Sequence, residues 1–302
     1  MDPIERYRHS QQQLFDQEGI QPVSKFVHTD GPVEKIHYFE IGIGEPLIFL
    51  HGGGSHSSEW IPILKHLSKY FHCLVVDRPG CGLSDHINYR GLDYQGSAID
   101  FIGSFMDALG LEKSRLIANS MGGYFSICFA MEYPERVEKM LLIGAPAGMN
   151  MFIPPQLRVL GIKGLNTFIL NTLGKPSIKT IRDIHQQLIV ADVNNLPDLY
   201  FEHTYHLQLI SGTMKSFATL LESVLTFRGF RKELFIGDQL GQLQIPVHFI
   251  WGDKDAFENP TTGKPKAAAI ENHSFDIVEN AGHLPWLDKP DQCTSLIIKR
   301  LL

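Results

Sequence analysis

The run Ser114-Arg115-Leu116-Ile117-Ala118-Asn119-Ser120-Met121-Gly122-Gly123 passes from a short apolar segment through a serine into paired glycines. Residues 114–119 are short and apolar enough to suit a central strand buried on both faces. Small residues stand two before Ser120 (Ala118) and two after it (Gly122). That spacing lets a strand and a following helix approach closely around a strained turn with the hydroxyl at its tip. Alanine at 118, where glycine is usual, adds one methyl group to the turn. A glycine turn with an incidental serine has the same composition, so the flanking chain must decide between the two.

The flanks repeat the pattern. KIHYFEIG (35–42) alternates in period two, and PLIFL (46–50), HCLVVD (72–77) and VEKMLLIG (137–144) are further short apolar runs. Between them, 57–70 places Trp60, Ile63, Leu64 and Leu67 on one helical stripe. Residues 94–109 do the same with Ile99, Ile102, Phe105 and Met106, ending at Gly110. Strand and helix in alternation predict an α/β fold, a mostly parallel sheet of about eight strands covered on both sides. From 149 to 240 the strand pattern stops. Helical stretches there are divided at Pro154-Pro155, Gly174-Lys175-Pro176, Asn194 to Pro197 and Ser211-Gly212. Strands resume at 244–252 and 273–279, and 291–302 reads as the last helix, with Pro290 at its start. The expected organisation is a core domain of 1–148 and 241–302, with 149–240 as an inserted helical cap. Such a cap would cover the carboxyl edge of the sheet, where open α/β sheets bind ligands.

The chain has 302 residues, 43% of them hydrophobic and 20% charged, and a formal net charge of −6. It can bury a full core, is not of disordered composition, and lacks the basic surplus of a nucleic-acid binder. Cys73, Cys81, Cys128 and Cys293 form no metal-ligand spacing and read as buried free thiols, which suits a reducing cytoplasm. The first 19 residues have no apolar signal region, and no apolar run is long enough to span a bilayer. A cytoplasmic protein acting on a small molecule, monomeric or homodimeric, without nucleic acid or membrane as partner, is expected. The arm at 1–22 packs on the core or on a partner chain, and its sequence does not decide which.

His51-Gly52-Gly53-Gly54 follows an apolar strand, and glycines there let backbone N–H groups face a cavity. His283 is the one histidine between the last strand and the last helix, placed where a loop could carry it to Ser120. Asp255, in IWGDKDAF (250–257), follows the preceding strand and would orient that histidine. Asp253 competes, but follows Gly252 directly and reads as a turn residue. Glu202, His203 and His206 could place two histidines on one helix face; without further ligands at fixed spacing they read as cap residues, and no metal is expected. Phe152, Leu165, Phe168, Leu221 and Phe227 read as the cap's own core.

HGGG (51–54), DRPGCGLS (77–84), NSMGG (119–123), WGDKD (251–255) and GHLPW (282–286), in this order, resemble the α/β-hydrolase superfamily with a helical cap. The resemblance runs over almost the whole chain after the arm. It implies a triad of Ser120, Asp255 and His283 and an oxyanion hole from the N–H groups of Gly53 and Met121. Gly52, Gly54 and Asn119 would face the substrate, and no cofactor is needed. DRPGCGLS is read as structural, with Pro79 and Gly80 setting a turn that Gly82 relieves. Hydrolysis of an ester or related acyl bond of a partly apolar substrate is the activity implied. Serine at 120 argues against dehalogenases and epoxide hydrolases, which carry aspartate there. NSMGG is also similar to the elbow of carbon–carbon bond hydrolases of ring-fission products. That reading requires a basic cap residue facing Ser120, for which Arg158, Arg182 and Arg228 are available. Acyl transfer and a non-catalytic ligand receptor are the remaining alternatives.

Overall fold

The computed structural model describes residues 1–172 and 175–302; Gly174, read above as a break in the cap, lies outside them. Eight strands form one sheet: β1 (Val23–His28), β2 (Lys35–Ile41), β3 (Glu45–Leu50), β4 (Phe71–Val76), β5 (Ser114–Ala118), β6 (Val137–Ile143), β9 (Val247–Gly252) and β10 (His273–Val278). A separate two-stranded ribbon, β7 (Leu225–Thr226) and β8 (Gly229–Phe230), accounts for the gap in numbering. The sheet order is β1-β2-β4-β3-β5-β6-β9-β10, with β2 antiparallel to both neighbours and every other pairing parallel.

The twelve α-helices are α1 (Pro3–Glu18), α2 (Ile61–Leu67), α3 (Tyr94–Ala108), α4 (Ser120–Glu132), α5 (Pro155–Arg158), α6 (Leu165–Asn171), α7 (Ile178–Ile184), α8 (Asp198–Leu209), α9 (Thr213–Val224), α10 (Pro260–Ala267), α11 (Pro285–Asp288) and α12 (Pro290–Leu301) among the described residues. Alternate residues of each central strand go to opposite faces. Ile48 and Leu50 of β3 join the apolar layer under α3 and α4, while Leu47 and Phe49 join the layer under α2 and α12. Helix α4, at the centre, buries Met121 through Ala130 without a break.

Four elements escape the sequence pattern. β1 is an edge strand whose residues are almost all exposed, so no alternation marks it. α10 carries Pro265 inside it, a residue that argues against a helix. The β7–β8 ribbon, two residues a side within a segment read as purely helical, is too short to show a period. The fourth is α1, capped by Asp2 with Glu5 in a reciprocal pair of hydrogen bonds. It packs on its own chain: Leu14 and Phe15 join the layer beneath α2, with Phe15 and Phe39 rings 5.3 Å apart. Its other half meets α8, where Tyr7 stacks on His203 at 4.4 Å.

One reading of the insertion needs correction. Leu165, Phe168 and Phe227 are exposed rather than core, because α6 and the ribbon turn lie on the outside of the molecule; Leu221 is buried and Phe152 half exposed. His203 and His206 turn toward α1, each with Nδ1 within 3.0 Å of Ser10 Oγ, and no group of three metal-ligating side chains occurs among the described residues. All four cysteines are buried and unpaired, and burial pushes Cys73 up to about 12. Among the described residues no helix is long and apolar enough to cross a membrane.

Candidate active site

β5 ends at Ala118, and α4 begins two residues later. Between them Asn119 is extended, and Ser120 takes a φ of 51°. A non-glycine residue with positive φ is strained, and the packing around it must hold it there. Gly122 is part of that packing: a methyl group on it would stand 2.2 Å from the Leu50 carbonyl oxygen. Helix α4 thus lies directly on the end of β3, and its first turn points unsatisfied N–H groups past Ser120.

The glycine run lies alongside. A methyl group on Gly52 would come within 3.3 Å of Ser120 Cβ, and one on Gly53 within 3.0 Å of Met121 Cγ. The loop is anchored from beneath. Arg78 donates from Nε to the His51 carbonyl at 2.7 Å and from Nη2 to the Gly52 carbonyl at 2.6 Å, and its backbone N–H donates to His51 Nε2. Burial pushes His51 down to about 3, so its imidazole is neutral. Asp77 accepts from His37, from the Ser57 N–H and from the Leu83 N–H. Burial alone would raise its pKa, but these donors and the nearby histidines outweigh that and hold it below the usual range. Gly82 has φ of 55° and abuts the Asp77 carboxylate, so DRPGCGLS is a scaffold for the glycine loop.

His283 comes from the loop between β10 and α11. Its Nδ1 lies 3.0 and 2.9 Å from the two carboxylate oxygens of Asp255. Asp255 also accepts from the N–H groups of Ala145 and Phe257, each at 2.9 Å, and the Phe257 ring packs 4.2 Å from the imidazole. With Nδ1 so engaged, Nε2 is the free face of the ring; it is buried and meets no partner among the described residues. Asp253, the sequence competitor, accepts from the Ala281 N–H and pins the histidine loop instead. Asp288 holds the same loop through the Gly282 N–H and ties it to the cap at Ala191 and Asp192. Asn119 bridges the two loops, donating from Nδ2 to the carbonyls of Ile143 and His283, while its Oδ1 is buried without a partner.

Ser120 stands between two cavities. One, of about 120 Å³, is apolar, walled by Met121, Ala145 to Gly148, Ile153, Leu220, Leu221, Val224 and Phe230 among others. The second, of about 160 Å³, carries the polar groups Ser55, Glu59, Asn119, His185, Thr204, Gln208 and His283. Gly53, Ser120, Phe217 and Phe257 border both. Of the residues singled out in the sequence, Met121 therefore faces the apolar chamber, Gly53 and Ser120 both, and Gly52, Gly54, Asn119 and His283 the polar one. Asp255 stands behind His283. Arg158 donates to the Ile153 carbonyl, Arg182 pairs with Asp198, and Arg228 is exposed. None of the three borders either chamber. Glu59, His185, Thr204, Gln208 and Phe257 were missed, since they carry no motif and reach the chamber only through tertiary packing.

A scaffold of this topology, with a serine at a strained strand-to-helix turn and a carboxylate-held histidine beside it, defines the α/β-hydrolase class. The family model for the alpha/beta hydrolase fold matches residues 45–171. A 2-hydroxy-6-oxo-6-phenylhexa-2,4-dienoate hydrolase of Comamonas testosteroni is 28% identical over 269 residues, 87% of this chain and 90% of that protein. A 2-hydroxy-6-oxononadienedioate/2-hydroxy-6-oxononatrienedioate hydrolase of Klebsiella pneumoniae is 28% identical over 92% of this chain and 95% of its own. Among solved structures, carboxylesterase CesB of Bacillus subtilis superposes with a TM-score of 0.79 at 22% identity, covering 99% of this chain and 98% of that one. The chain has the α/β-hydrolase fold, and residues 45–171 match that family's model.

Proposed function

We propose that this protein is a serine hydrolase that cleaves an ester with an apolar acyl group through an acyl-enzyme. One observation carries the reading: Ser120 lies at the border of two chambers, one almost wholly apolar and one that sets polar groups among the aliphatic Ile181, Ile184, Ile189 and Leu284, and His283, held by Asp255, lines only the second. His283 Nε2 takes the proton of Ser120 as Oγ bonds to the carbonyl carbon, and the oxyanion falls to the N–H groups of Gly53 and Met121. As the ester C–O bond breaks, His283 returns that proton to the departing alkoxide. The leaving group must therefore lie on the His283 side, in the polar chamber, and the acyl chain in the apolar one. Water, deprotonated by the same imidazole, then displaces Ser120 and releases the acid. Asp255 keeps Nδ1 protonated throughout and stabilises the imidazolium.

A second reading is carbon–carbon hydrolysis, favoured by the two dienoate-named relatives. Against it, no lysine or arginine borders either chamber among the described residues, whereas that reaction was expected to need a basic cap residue facing Ser120. The deciding experiment labels the protein with a fluorophosphonate beside Ser120→Ala and assays p-nitrophenyl esters in parallel with a 2-hydroxy-6-oxo-dienoate. Labelling and ester turnover that both vanish in the variant support ester hydrolysis. Dienoate cleavage without ester turnover overturns it in favour of the second reading.

A further inference from the structure

Glu59 is a buried carboxyl group in the wall of the polar chamber that the proposed reaction does not use. Its backbone carbonyl accepts from the Trp286 indole at 2.7 Å, and Trp286 stacks on Trp60 at 4.1 Å, so its position is fixed to α11, which follows the loop that carries His283. The Tyr200 hydroxyl lies 3.4 Å from Glu59 Oε1 and 3.1 Å from His185 Nε2. His185 Nδ1, 2.8 Å from the Ile181 carbonyl, must carry a proton to bond there, which leaves Nε2 an acceptor. Tyr200 then donates to His185. Burial, foremost, pushes Glu59 up to about 7. Around it, Thr204 donates its own proton to the Tyr200 carbonyl, the Ser55 hydroxyl stands within hydrogen-bonding reach of Glu59, and Asn119 Oδ1 is buried away from the chamber. Gln208 is the one bordering side-chain amide free to present either an N–H or an oxygen. The buried cation Arg78 turns Nε and Nη2 to the glycine-loop carbonyls and does not border the chamber.

Building on the serine-hydrolase reading and its placement of the leaving group, we propose that the polar chamber selects an uncharged leaving group and rejects carboxylates, with Glu59 in its wall as the discriminating group. A carboxylate must shed its hydration in a chamber that no lysine or arginine borders among the described residues, and the walls at Ile181, Ile184, Ile189 and Leu284 return nothing for it. Ionised Glu59 adds like-charge repulsion. The groups that face Glu59 are Tyr200 and His185 from the cap, Arg78 and Cys81 from the loop after β4, and Tyr7 from α1. Burial holds His185 at about 4 and Cys81 at about 11, and keeps both tyrosines protonated. Glu59 is thus the group of this set that titrates near neutrality.

The test compares kcat/KM for the hexanoyl monoester of ethylene glycol with that for the hexanoyl ester of glycolate, at about pH 6 and about pH 8.5, for the wild type and Glu59→Gln. His283 acts on both esters, so its titration cancels in their ratio. The expected ratio favours the glycol ester by about tenfold or more at the lower pH. It rises several-fold at the higher pH in the wild type and stays level in Glu59→Gln. A glycolate ester cleaved as well as the glycol ester, or a wild-type ratio that does not move with pH, overturns the proposal; the second criterion needs no variant. Failure of the wild type on both esters, with no fluorophosphonate labelling, removes the serine-hydrolase reading itself and is recognisable as such.

Discussion

Ser120 holds a φ of 51° because Asn119 is tied on one side to β6 and the histidine loop, and Gly122 is pressed against β3 on the other. The strain is local, and it aims one hydroxyl at the border of the two chambers. Ser120→Ala is expected to abolish both fluorophosphonate labelling and ester turnover with the fold intact. Asp255→Asn keeps the size of the side chain but no longer enforces the Nδ1–H tautomer, so kcat should fall by about three to four orders of magnitude, measured with a p-nitrophenyl ester. Glu59 has a consequence for stability as well. Its folded pKa, raised by burial from 4.5 to about 7, lies above its unfolded value. Its favourable contribution is therefore complete below about pH 4.5 and is lost as pH rises through about 7. The cost above that is up to about 3 kcal/mol. Urea titrations at about pH 5 and about pH 8.5 should show that loss in the wild type and not in Glu59→Gln; a loss of equal size in both would refute it.

At the scale of elements, α4 and α1 do different work. The contact between α4 and β3 leaves no room for a side chain at 122, where even a methyl carbon would stand 2.2 Å from the Leu50 oxygen. Gly122→Ala should destabilise by about 1–3 kcal/mol through displacement of α4, and lower turnover further because Ser120 and Met121 move with it. α1 fastens α8 to the core. Tyr7 is fully buried, stacked on His203 and edge-on to His56 at 6.2 Å, with Ser10 between the two cap histidines. Tyr7→Ala removes the ring from that contact and should cost about 3–5 kcal/mol. Hydrogen exchange should then show loss of protection in α1 and α8 well ahead of β3, β5 and β6.

Across the whole molecule, the insertion between β6 and β9 supplies one wall of each chamber: Leu221 and Val224 of α9 on the apolar side, His185 and Thr204 on the polar side, with Phe217 bordering both. On the proposed ester-hydrolase reading, the cap sets size selection on the acyl chain. Leu221→Trp should lower kcat/KM for octanoate esters by about tenfold or more while acetate esters change little, in a comparison of p-nitrophenyl substrates. Equal losses on short and long chains would place the acyl group elsewhere. The chambers also show how far local pattern reaches. Ser120, His283 and the glycine loop each sit at a strand end, where one short motif and its flanking strand make the position legible. Glu59 lies mid-helix-turn in SSEW with nothing to distinguish it from a solvated charge, and its burial comes from Tyr200 and Trp286, 141 and 227 residues away.

The sequence by itself determined the alternation of the central strands and helices, because burial on both faces and tight turns leave periodic and compositional marks within ten residues. It did not decide the fate of the arm. α1 carried its cap signal at Asp2 and Glu5, but what it packs on depends on a helix some 200 residues along the chain. Nor did it separate apolar from polar space around Ser120, or fix which cap residues face it. Exposed edge strand β1 and the outward Leu165, Phe168 and Phe227 show the same limit from the other side. A side chain's type states what it would prefer, and only the folded chain decides whether a cavity, a neighbour or solvent is there to meet it.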